Sequence, residues 1–518
     1  MKAKLIIIIS AVIAIASCEK LKSDTLYFSE NTIENTTLSD FEIALTRNAV
    51  IGKKLPNPYK VDVMNEALRN LQTKSDLGNV ELKATHHYIM FKPENHEHYR
   101  SLIMQDDIDL NSFPLDHEIS SGLIVVDPNP AYSTNGYSHK WTYVPIDRDL
   151  SNIDCPYEIL YDIVSFDEET AVTKSSNISE DIFNLIEQEA HSLCGMELER
   201  VPQTKTKTTP SGNIKYYDSS YDRLIGCNGM TVKAQRLTKK AYGHCDDNGN
   251  FTCDKDFTYK WTYTVFWGRT DFEIREGTQS TEEISLVFTK QDAPLNLTFD
   301  NRNDSNQYKN LVYPCEILRA ACQYYYGDID NLNRPPMKDE IKDRIYIRAV
   351  RGRGTENGFF QEMLSLKSTP YIHIYEKDKT TNNRQSSNYI YFATIHELAH
   401  ASHWVHDFDN YIHPIMMLNV QESFANGVGW HLTKKVHPNF EIEYDNMYYT
   451  GIVEDMIDND GHKANNETIP EYVSGYSIQE VENAVYGAWT YAMWENNLNS
   501  LYPNNDTRIY LDDLFDIW

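Results

Sequence analysis

The sequence has too little positive charge for a nucleic-acid-binding protein. Its 518 residues include 48 Lys and Arg against 76 Asp and Glu, a formal net charge of -28, whereas phosphate binding needs a basic surface. Beyond the N-terminal segment no apolar run is long enough to span a bilayer. The chain also has no internal repeat, no sugar- or phosphate-binding motif, and no cysteine pair with the CxxC spacing of a zinc ribbon or knuckle. These absences leave an acidic chain whose charge suits an exported, soluble body.

The chain starts with features of a targeting segment. Lys2 and Lys4 precede the almost wholly apolar residues 5–16, which are too short for a comfortable transmembrane helix. The small residues directly before Cys18 resemble the lipobox of bacterial lipoproteins. The resemblance implies cleavage before Cys18, lipidation of its thiol, and an extracytoplasmic protein anchored in the bacterial cell envelope, at the outer membrane or cell surface. The alternative is an ordinary secretory signal in which Cys18 has no role.

The remaining cysteines are predicted to be structural. An odd number of them leaves at least one thiol free or paired elsewhere. Cys245 and Cys253 flank Asp-Asp-Asn-Gly, a turn signal that suggests a hairpin disulfide between them, while the other pairings stay open. With Cys18 set aside, the seven are Cys155, Cys194, Cys227, Cys245, Cys253, Cys315 and Cys322.

Length and local patterns predict a multidomain α+β protein. A mature chain of this length divides into roughly two to four domains. Residues 19–205 mix helical and strand patterns and are assigned to a mixed N-terminal domain, and the polar residues 204–212 are a predicted linker. Residues 213–300 alternate apolar and polar positions, which predicts a small all-β sandwich. Residues 305–518 form a mainly helical C-terminal domain.

Shorter patterns predict individual elements. The predicted helices cover residues 180–193, 312–326 and 388–405, and the predicted strands cover residues 86–93, 123–126, 230–234, 257–265, 345–347 and 371–375.

A metal-binding pattern lies within residues 388–405. His396 and His400 are four residues apart, so a helix places both on one face, and Glu397 then lies beside the metal-bound water. The apolar stripe opposite them predicts an amphipathic helix whose other face points into a cleft. This stripe consists of Tyr391, Ile395, Leu398, Ser402 and Val405. The alternative is a helix with histidines on its surface.

Two residues compete to be the third metal ligand. Glu422 lies on a predicted second helix, where Asn426 is one turn further on and could hydrogen-bond the ligands. Gly427 and Gly429 lower helix propensity there, which close approach of the two helix backbones would explain.

His406 is the other candidate for third ligand. Its offset from His396 matches the third histidine of metzincins, and Met416 or Met417 could imitate their Met-turn. Metzincins place Gly where this chain has His403, however, so the sharp turn they need is disfavoured and Glu422 is preferred. His403 shares the helix face but lies too far along it to ligate the metal, so His403 and Asn426 are predicted to support the ligands without binding the metal themselves.

With Glu422 as ligand, the motifs resemble those of gluzincins, the thermolysin-like class of zinc metalloproteases. Residues 310–500 are similar to a group of large bacterial lipoproteins with His-Glu-Leu-Ala-His-Ala-Ser-His on one helix, Glu-Ser-x-Ala on the next and a later Gly475-Tyr476. The resemblance implies a zincin-like C-terminal domain that binds Zn²⁺. The region 213–300, with its Asp-Asn-Gly hairpin, resembles the carboxypeptidase-regulatory type of β-sandwich, for which a folding or spacer role is favoured.

The resulting hypothesis is hydrolysis of peptide bonds in a protein or peptide substrate. A zinc-activated water attacks the scissile carbonyl, and Glu397 acts as general base and returns the proton to the leaving amine. Tyr476 is the candidate donor to the oxyanion, with His403 and His413 as alternatives. A buried structural role is the alternative for Tyr476.

Two other functions fit the same sequence. The chain could be a non-catalytic surface binding lipoprotein that retains a zincin fold. It could also be a zinc hydrolase that acts on something other than peptides.

Overall fold

A computed structural model describes residues 48–73, 80–165, 180–198, 207–278, 280–341, 343–354, 358–361, 370–412, 418–442, 444, 448–458, 463–464, 467–468 and 473–518. In these residues the protein is a mixed α/β multidomain molecule. The predicted lipidation site at Cys18 lies outside them. None of the described helices combines the length and apolar character needed to cross a lipid bilayer.

The N-terminal region contains an antiparallel sheet covered by helices. β2 lies between β7 and β8, and the packed helices α1 and α3 share one buried apolar cluster with this sheet. In α3, Phe183, Ile186 and Ala190 recur at helical spacing and all are buried, which confirms the helix predicted over 180–193. The elements are β1 (Ile51–Lys54), α1 (Val61–Gln72), β2 (His86–Phe91), α2 (His96–Ile103), β3 (His117–Ile119), β4 (Gly122–Leu123), β5 (Ser133–Thr134), β6 (Tyr137–Ser138), β7 (Lys140–Pro145), β8 (Tyr157–Ile163) and α3 (Glu180–Leu193).

Every element that the structure describes between residues 211 and 299 is a strand, which agrees with the alternating pattern of the sequence there. One sheet has the order β10-β9-β13 with β17 parallel to β9, and the other has the order β12-β11-β14-β16-β4. Phe251 of the first sheet meets Tyr263 of the second with ring centroids 6.1 Å apart, and both lie in one buried cluster. The elements are β9 (Ser211–Asp218), β10 (Arg223–Gly226), β11 (Thr231–Arg236), β12 (Lys239–His244), β13 (Asn250–Thr252), β14 (Trp261–Phe266), β15 (Phe272–Glu276), β16 (Ser285–Gln291) and β17 (Leu295–Phe299).

The C-terminal region combines a second mixed sheet with most of the helices. Its sheet has the order β15-β18-β20-β19, in which β19 alone runs antiparallel to its neighbour. Helix α4 matches the predicted range 312–326, and α5 extends the predicted range 388–405 by one residue at each end. The elements are α4 (Val312–Tyr326), β18 (Ile345–Arg353), β19 (Gly358–Gln361), β20 (Tyr371–Lys377), α5 (Ser387–His406), α6 (Phe408–Tyr411), α7 (Leu418–Val436), α8 (Ile452–Ile457), β21 (Lys463–Ala464), β22 (Glu467–Thr468), α9 (Ile478–Val485), α10 (Tyr491–Leu501) and α11 (Leu511–Ile517).

Strand pairing crosses both predicted domain boundaries. β4, from the N-terminal region, extends the second sheet of the middle region through β16, and β15, from the middle region, pairs in parallel with β18 of the C-terminal sheet. The predicted linker is not a free connection at its described end, because Thr208 bridges to Phe257 and Ser211 begins β9. The three regions are therefore joined through their sheets.

The disulfide predicted between Cys245 and Cys253 is absent, because all seven described cysteines are free thiols. Cys245 directly follows β12 and Cys253 directly follows β13, and these two strands belong to different sheets. The backbone of Cys245 donates to Met230, beside β11, whereas that of Cys253 donates to Pro210, beside β9. The turn between them therefore connects two sheets instead of closing a hairpin.

The prediction of an amphipathic motif helix was wrong. Nearly every side chain of α5 up to Trp404 is buried, including the two histidines of the motif, whereas Val405 of the predicted buried stripe is only half-buried. The helix is enclosed because α4, α7 and the strands β19 and β20 all pack against it. A helix covered on every side shows no single apolar stripe in its sequence.

Candidate metal centre

The structure brings two imidazoles and one carboxylate together. His396 and His400 lie one turn apart on α5, and Glu422 reaches them from α7. The Nε2 atoms of the histidines are 3.2 Å apart, and Oε2 of Glu422 is 3.2 Å from that of His396 and 3.3 Å from that of His400. Ligands about 2.0 to 2.1 Å from a tetrahedral zinc ion lie roughly 3.4 Å from one another. The buried triangle of these three residues can therefore hold a metal ion.

Charge at this triangle favours a cation. Burial alone would raise the pKa of the Glu422 carboxyl, but the adjacent imidazoles of His400 and His396 outweigh it and lower that pKa to about 2. Glu422 is thus an anion with 1% of its surface exposed. A buried anion is costly unless positive charge lies beside it, and a metal ion held by the triangle would supply that charge.

A glycine of α7 lies against side chains of α5. A Cβ atom on Gly429 would lie 2.8 Å from the ring of Phe392 and 3.4 Å from Cβ of His396. Gly429 therefore leaves room for side chains of α5, whereas the predicted close approach of the two helix backbones stays a prediction. Gly427 serves a different contact, because a Cβ there would lie 2.2 Å from the side chain of Val453 on α8.

Glu397 lies beside the edge strand β19. A Cβ atom on Gly358 would be only 2.4 Å from Oε1 of Glu397, so the strand backbone passes directly against this carboxylate. Burial, followed by the charge of Glu397, raises the pKa of Tyr375 on the neighbouring strand β20. The candidate general base is therefore packed against the backbone of β19.

Two tyrosines that the sequence did not single out contact the histidines. The Tyr411 hydroxyl lies 3.4 Å from Nδ1 of His400, on the side of the ring opposite the metal-facing Nε2. The half-buried ring of Tyr449 lies against His396 with centroids 6.1 Å apart. The chain has 35 tyrosines, so composition and spacing carried no signal for these two.

Ser423 fixes the segment that carries Tyr449. Its hydroxyl donates to the carbonyl of Tyr448 at 3.2 Å and lies 2.7 Å from the hydroxyls of Thr450 and Tyr491. Ser423 directly follows the candidate ligand Glu422. The candidate ligand Glu422 and the residue that holds the Tyr449 segment, Ser423, are therefore neighbours on α7.

Comparison with known proteins gives no match. No protein family, curated protein or solved structure is significantly similar to this chain.

Within the described residues, no side-chain hydrogen bond joins the competing ligand His406, or the predicted supporting residues His403 and Asn426, to the three residues of the triangle. His406 is exposed and donates from Nε2 to the carbonyl of Arg334 at 2.9 Å. His403 is fully buried among the rings of Tyr411, Phe424 and Tyr486, and this burial lowers its pKa. Asn426 is buried, but within the described residues no hydrogen bond joins its Nδ2 to the metal ligands or to any other group.

Tyr476 lies in a different environment from the one predicted. Its backbone donates to Met456 at 2.9 Å, and its ring meets that of Tyr502 with centroids 6.3 Å apart. Burial and the nearby charge of Glu480 raise its pKa. Among the described residues no contact joins Tyr476 to the metal ligands, so its catalytic role stays a prediction without structural support. His413, Met416 and Met417 lie outside the described residues.

Proposed function

We propose that this protein is a zinc-dependent metallopeptidase. The observation that carries the proposal is the triangle of His396, His400 and Glu422, whose edges of 3.2 to 3.3 Å match a tetrahedral zinc site. Catalytic zinc sites in proteins use three such ligands and keep one position open. When bound, a zinc ion supplies Lewis-acid polarisation of a carbonyl and lowers the pKa of water toward about 7.

Glu397 would act as the general base. Its position one residue after His396 brings its carboxylate to the same end of the site as the metal ligands. There it would take a proton from the attacking water and later deliver it to the leaving amine.

The edge strand beside Glu397 favours a peptide as substrate. Within the described residues β19 pairs with β20 alone, so its other edge has backbone N–H and C=O groups to offer. An extended peptide can add to such an edge through main-chain hydrogen bonds, and the contact of Gly358 with Glu397 brings that peptide to the base. A sugar or phosphate ester has no backbone to match this edge. The mixed sheet with α5 packed against it likewise supports a zincin-like C-terminal domain.

Tyr449 replaces Tyr476 as the proposed donor to the oxyanion. It is the tyrosine whose ring contacts the ligand His396, and Ser423 holds its segment in place. A phenol is a suitable hydrogen-bond donor to the negative charge that develops during attack on a carbonyl.

The proposed location is extracytoplasmic, with the protein lipid-anchored in the bacterial cell envelope, on the basis of the residues before Cys18 alone. Cys18→Ala should move the protein from the membrane fraction to the soluble fraction. Unchanged fractionation would contradict the proposed lipid anchor, but it would not bear on the proposed metal site.

Metal content and cleavage of a broad peptide library test the function together. The full chain should contain one equivalent of zinc, cleave peptides, and lose this cleavage on chelation. Glu397→Gln should keep the zinc and lose hydrolysis, because the amide cannot accept the proton. Zinc binding without cleavage of any peptide by the wild type would favour the non-catalytic binding protein instead.

A further inference from the structure

The start of the motif helix α5 is not capped by its own sequence. The first N–H groups of a helix have no partner within the helix and need acceptors from elsewhere. Ser386 occupies the N-cap position, but its side chain accepts no capping hydrogen bond. Its hydroxyl donates to the side chain of Asn388 at 2.6 Å instead.

The acceptors come from the β-sandwich. Ser219 and Ser220 form the turn that follows β9, the first strand of the sandwich. The backbone N–H of Ser387 donates to Oγ of Ser219 at 2.9 Å, and that of Asn388 donates to Oγ of Ser220 at 2.9 Å. In return, the backbone N–H of Ser219 donates to Oγ of Ser387 at 2.8 Å. This reciprocal arrangement is that of a capping box, built between residues 168 positions apart in the chain.

The turn itself is fixed. Oδ1 of the buried Asp218 accepts from the backbone N–H groups of Ser220 at 2.8 Å and Tyr221 at 3.2 Å. Its other oxygen pairs with Arg319 of α4 at 3.5 Å. The two serine hydroxyls are therefore presented by a turn with a defined shape, although both residues are exposed.

Helix α4 also contacts the start of α5. The Ser387 hydroxyl donates to the buried carboxyl of Glu316, and Arg384 donates to the same carboxyl at 2.7 Å. The sandwich and α4 thus hold the same residue of α5 from two sides.

We propose that the turn Asp218–Tyr221 is a positioning element of the metal centre, in which Ser219 and Ser220 hold the start of the helix that carries His396 and His400. His396 lies nine residues after Ser387, about 14 Å along a continuous helix, so a shift at the start moves both imidazoles relative to Glu422 on the separate helix α7. The sandwich is then part of the metal-binding unit, in contrast to the spacer role predicted from the sequence. This inference rests on the proposed metal centre.

The experiment compares the full-length wild type with Ser219→Ala/Ser220→Ala. Zinc affinity is measured by competition with a chelator, well below the unfolding temperature, and backbone hydrogen exchange is measured across residues 387–400. We expect zinc affinity to fall roughly tenfold and exchange at the start of α5 to rise. Ser219→Thr/Ser220→Thr keeps both hydroxyls and should restore both readouts.

Ser211→Ala is the matched control. Ser211 lies at the other end of β9, and its Oγ makes no hydrogen bond within the described residues. Wild-type zinc affinity in the double Ala variant would overturn the proposal, as would an equal loss in the double Thr variant. If the wild type itself binds no zinc, the proposed function fails first, and exchange at residues 387–388 still decides whether the turn caps the helix.

Discussion

Gly358 and Glu397 are in such close contact that a side chain at position 358 would have to displace one of them. A Cβ atom there would lie 2.4 Å from Oε1 of Glu397 and 2.8 Å from its Cγ. Atoms cannot approach this closely, so any side chain at 358 must displace either the edge strand or the carboxylate. The glycine thereby couples the strand proposed to bind the substrate to the proposed general base.

Gly358→Ala should lower kcat/KM about a hundredfold, because small displacements of reacting groups have effects of that size. Zinc content should not change, since His396, His400 and Glu422 are not the groups displaced. The checks are peptide hydrolysis kinetics and metal analysis of the same preparation. Gly352→Ala in β18 is the control, because a Cβ atom there meets nothing within 4 Å. Equal activity of the two variants would show that β19 does not constrain Glu397.

Glu422→Gln and His406→Ala separate the two candidate third ligands. The amide removes an anionic ligand and should lower zinc affinity more than about a hundredfold, beyond the usual effect of a group outside the ligand set. His406 contacts the carbonyl of Arg334 and should be replaceable without loss of zinc. Isothermal titration of both metal-free variants with zinc provides the test. The reverse ranking would return the site to the metzincin arrangement.

The elements of the fold that could be predicted are those with a clear local period. Helix α3 shows a 3.6-residue apolar pattern, and β11 has the alternation typical of a strand. The pairing of β4 and β15 with strands of other regions could not be predicted, because pairing partners far apart in the chain have no effect on local periodicity. The enclosure of helix α5 could not be predicted for a related reason, because it depends on four neighbouring elements contributed by other parts of the chain.

The site residues likewise include some that local spacing predicts and others that depend on tertiary contacts. His396, Glu397 and His400 follow from spacing within one helix turn, and Glu422 follows from chemistry and the length of the connection. Tyr449 and Ser219 could not be found, because their roles depend on contacts to α5 that only the tertiary structure provides. A turn pattern led to the prediction that Tyr476 donates to the oxyanion, but its ring packs against Tyr502.

Tyr449→Phe should lower kcat roughly a hundredfold with little change in KM, because a donor to the oxyanion acts mainly in the transition state. Zinc affinity should be retained, since the ring that packs on His396 is kept. Steady-state kinetics on one peptide substrate would measure both parameters. Tyr476→Phe is the comparison, and a larger kcat loss in that variant would restore the role predicted from sequence.

Glu316 should make the stability of the protein depend on pH. Burial raises the pKa of its carboxyl to about 7, although Arg384 and the Ser387 hydroxyl oppose this shift. The folded protein therefore keeps a proton that the unfolded chain releases near the ordinary glutamate value of about 4.3. Where the folded state binds more protons, stability decreases as pH rises, so the contribution of Glu316 is lost between roughly pH 4.5 and 7.

Glu316→Gln removes this titration and leaves a neutral side chain of similar size. We expect the free energy of unfolding of the wild type, relative to this variant, to fall by up to about 3 kcal/mol between roughly pH 4.5 and 7.5. Denaturant unfolding of both proteins at a series of pH values measures the difference, in which other titrating groups cancel. A difference that stays constant, or that grows in favour of the wild type as pH rises, would mean that Glu316 is ionised throughout and that its pairing with Arg384 dominates over burial.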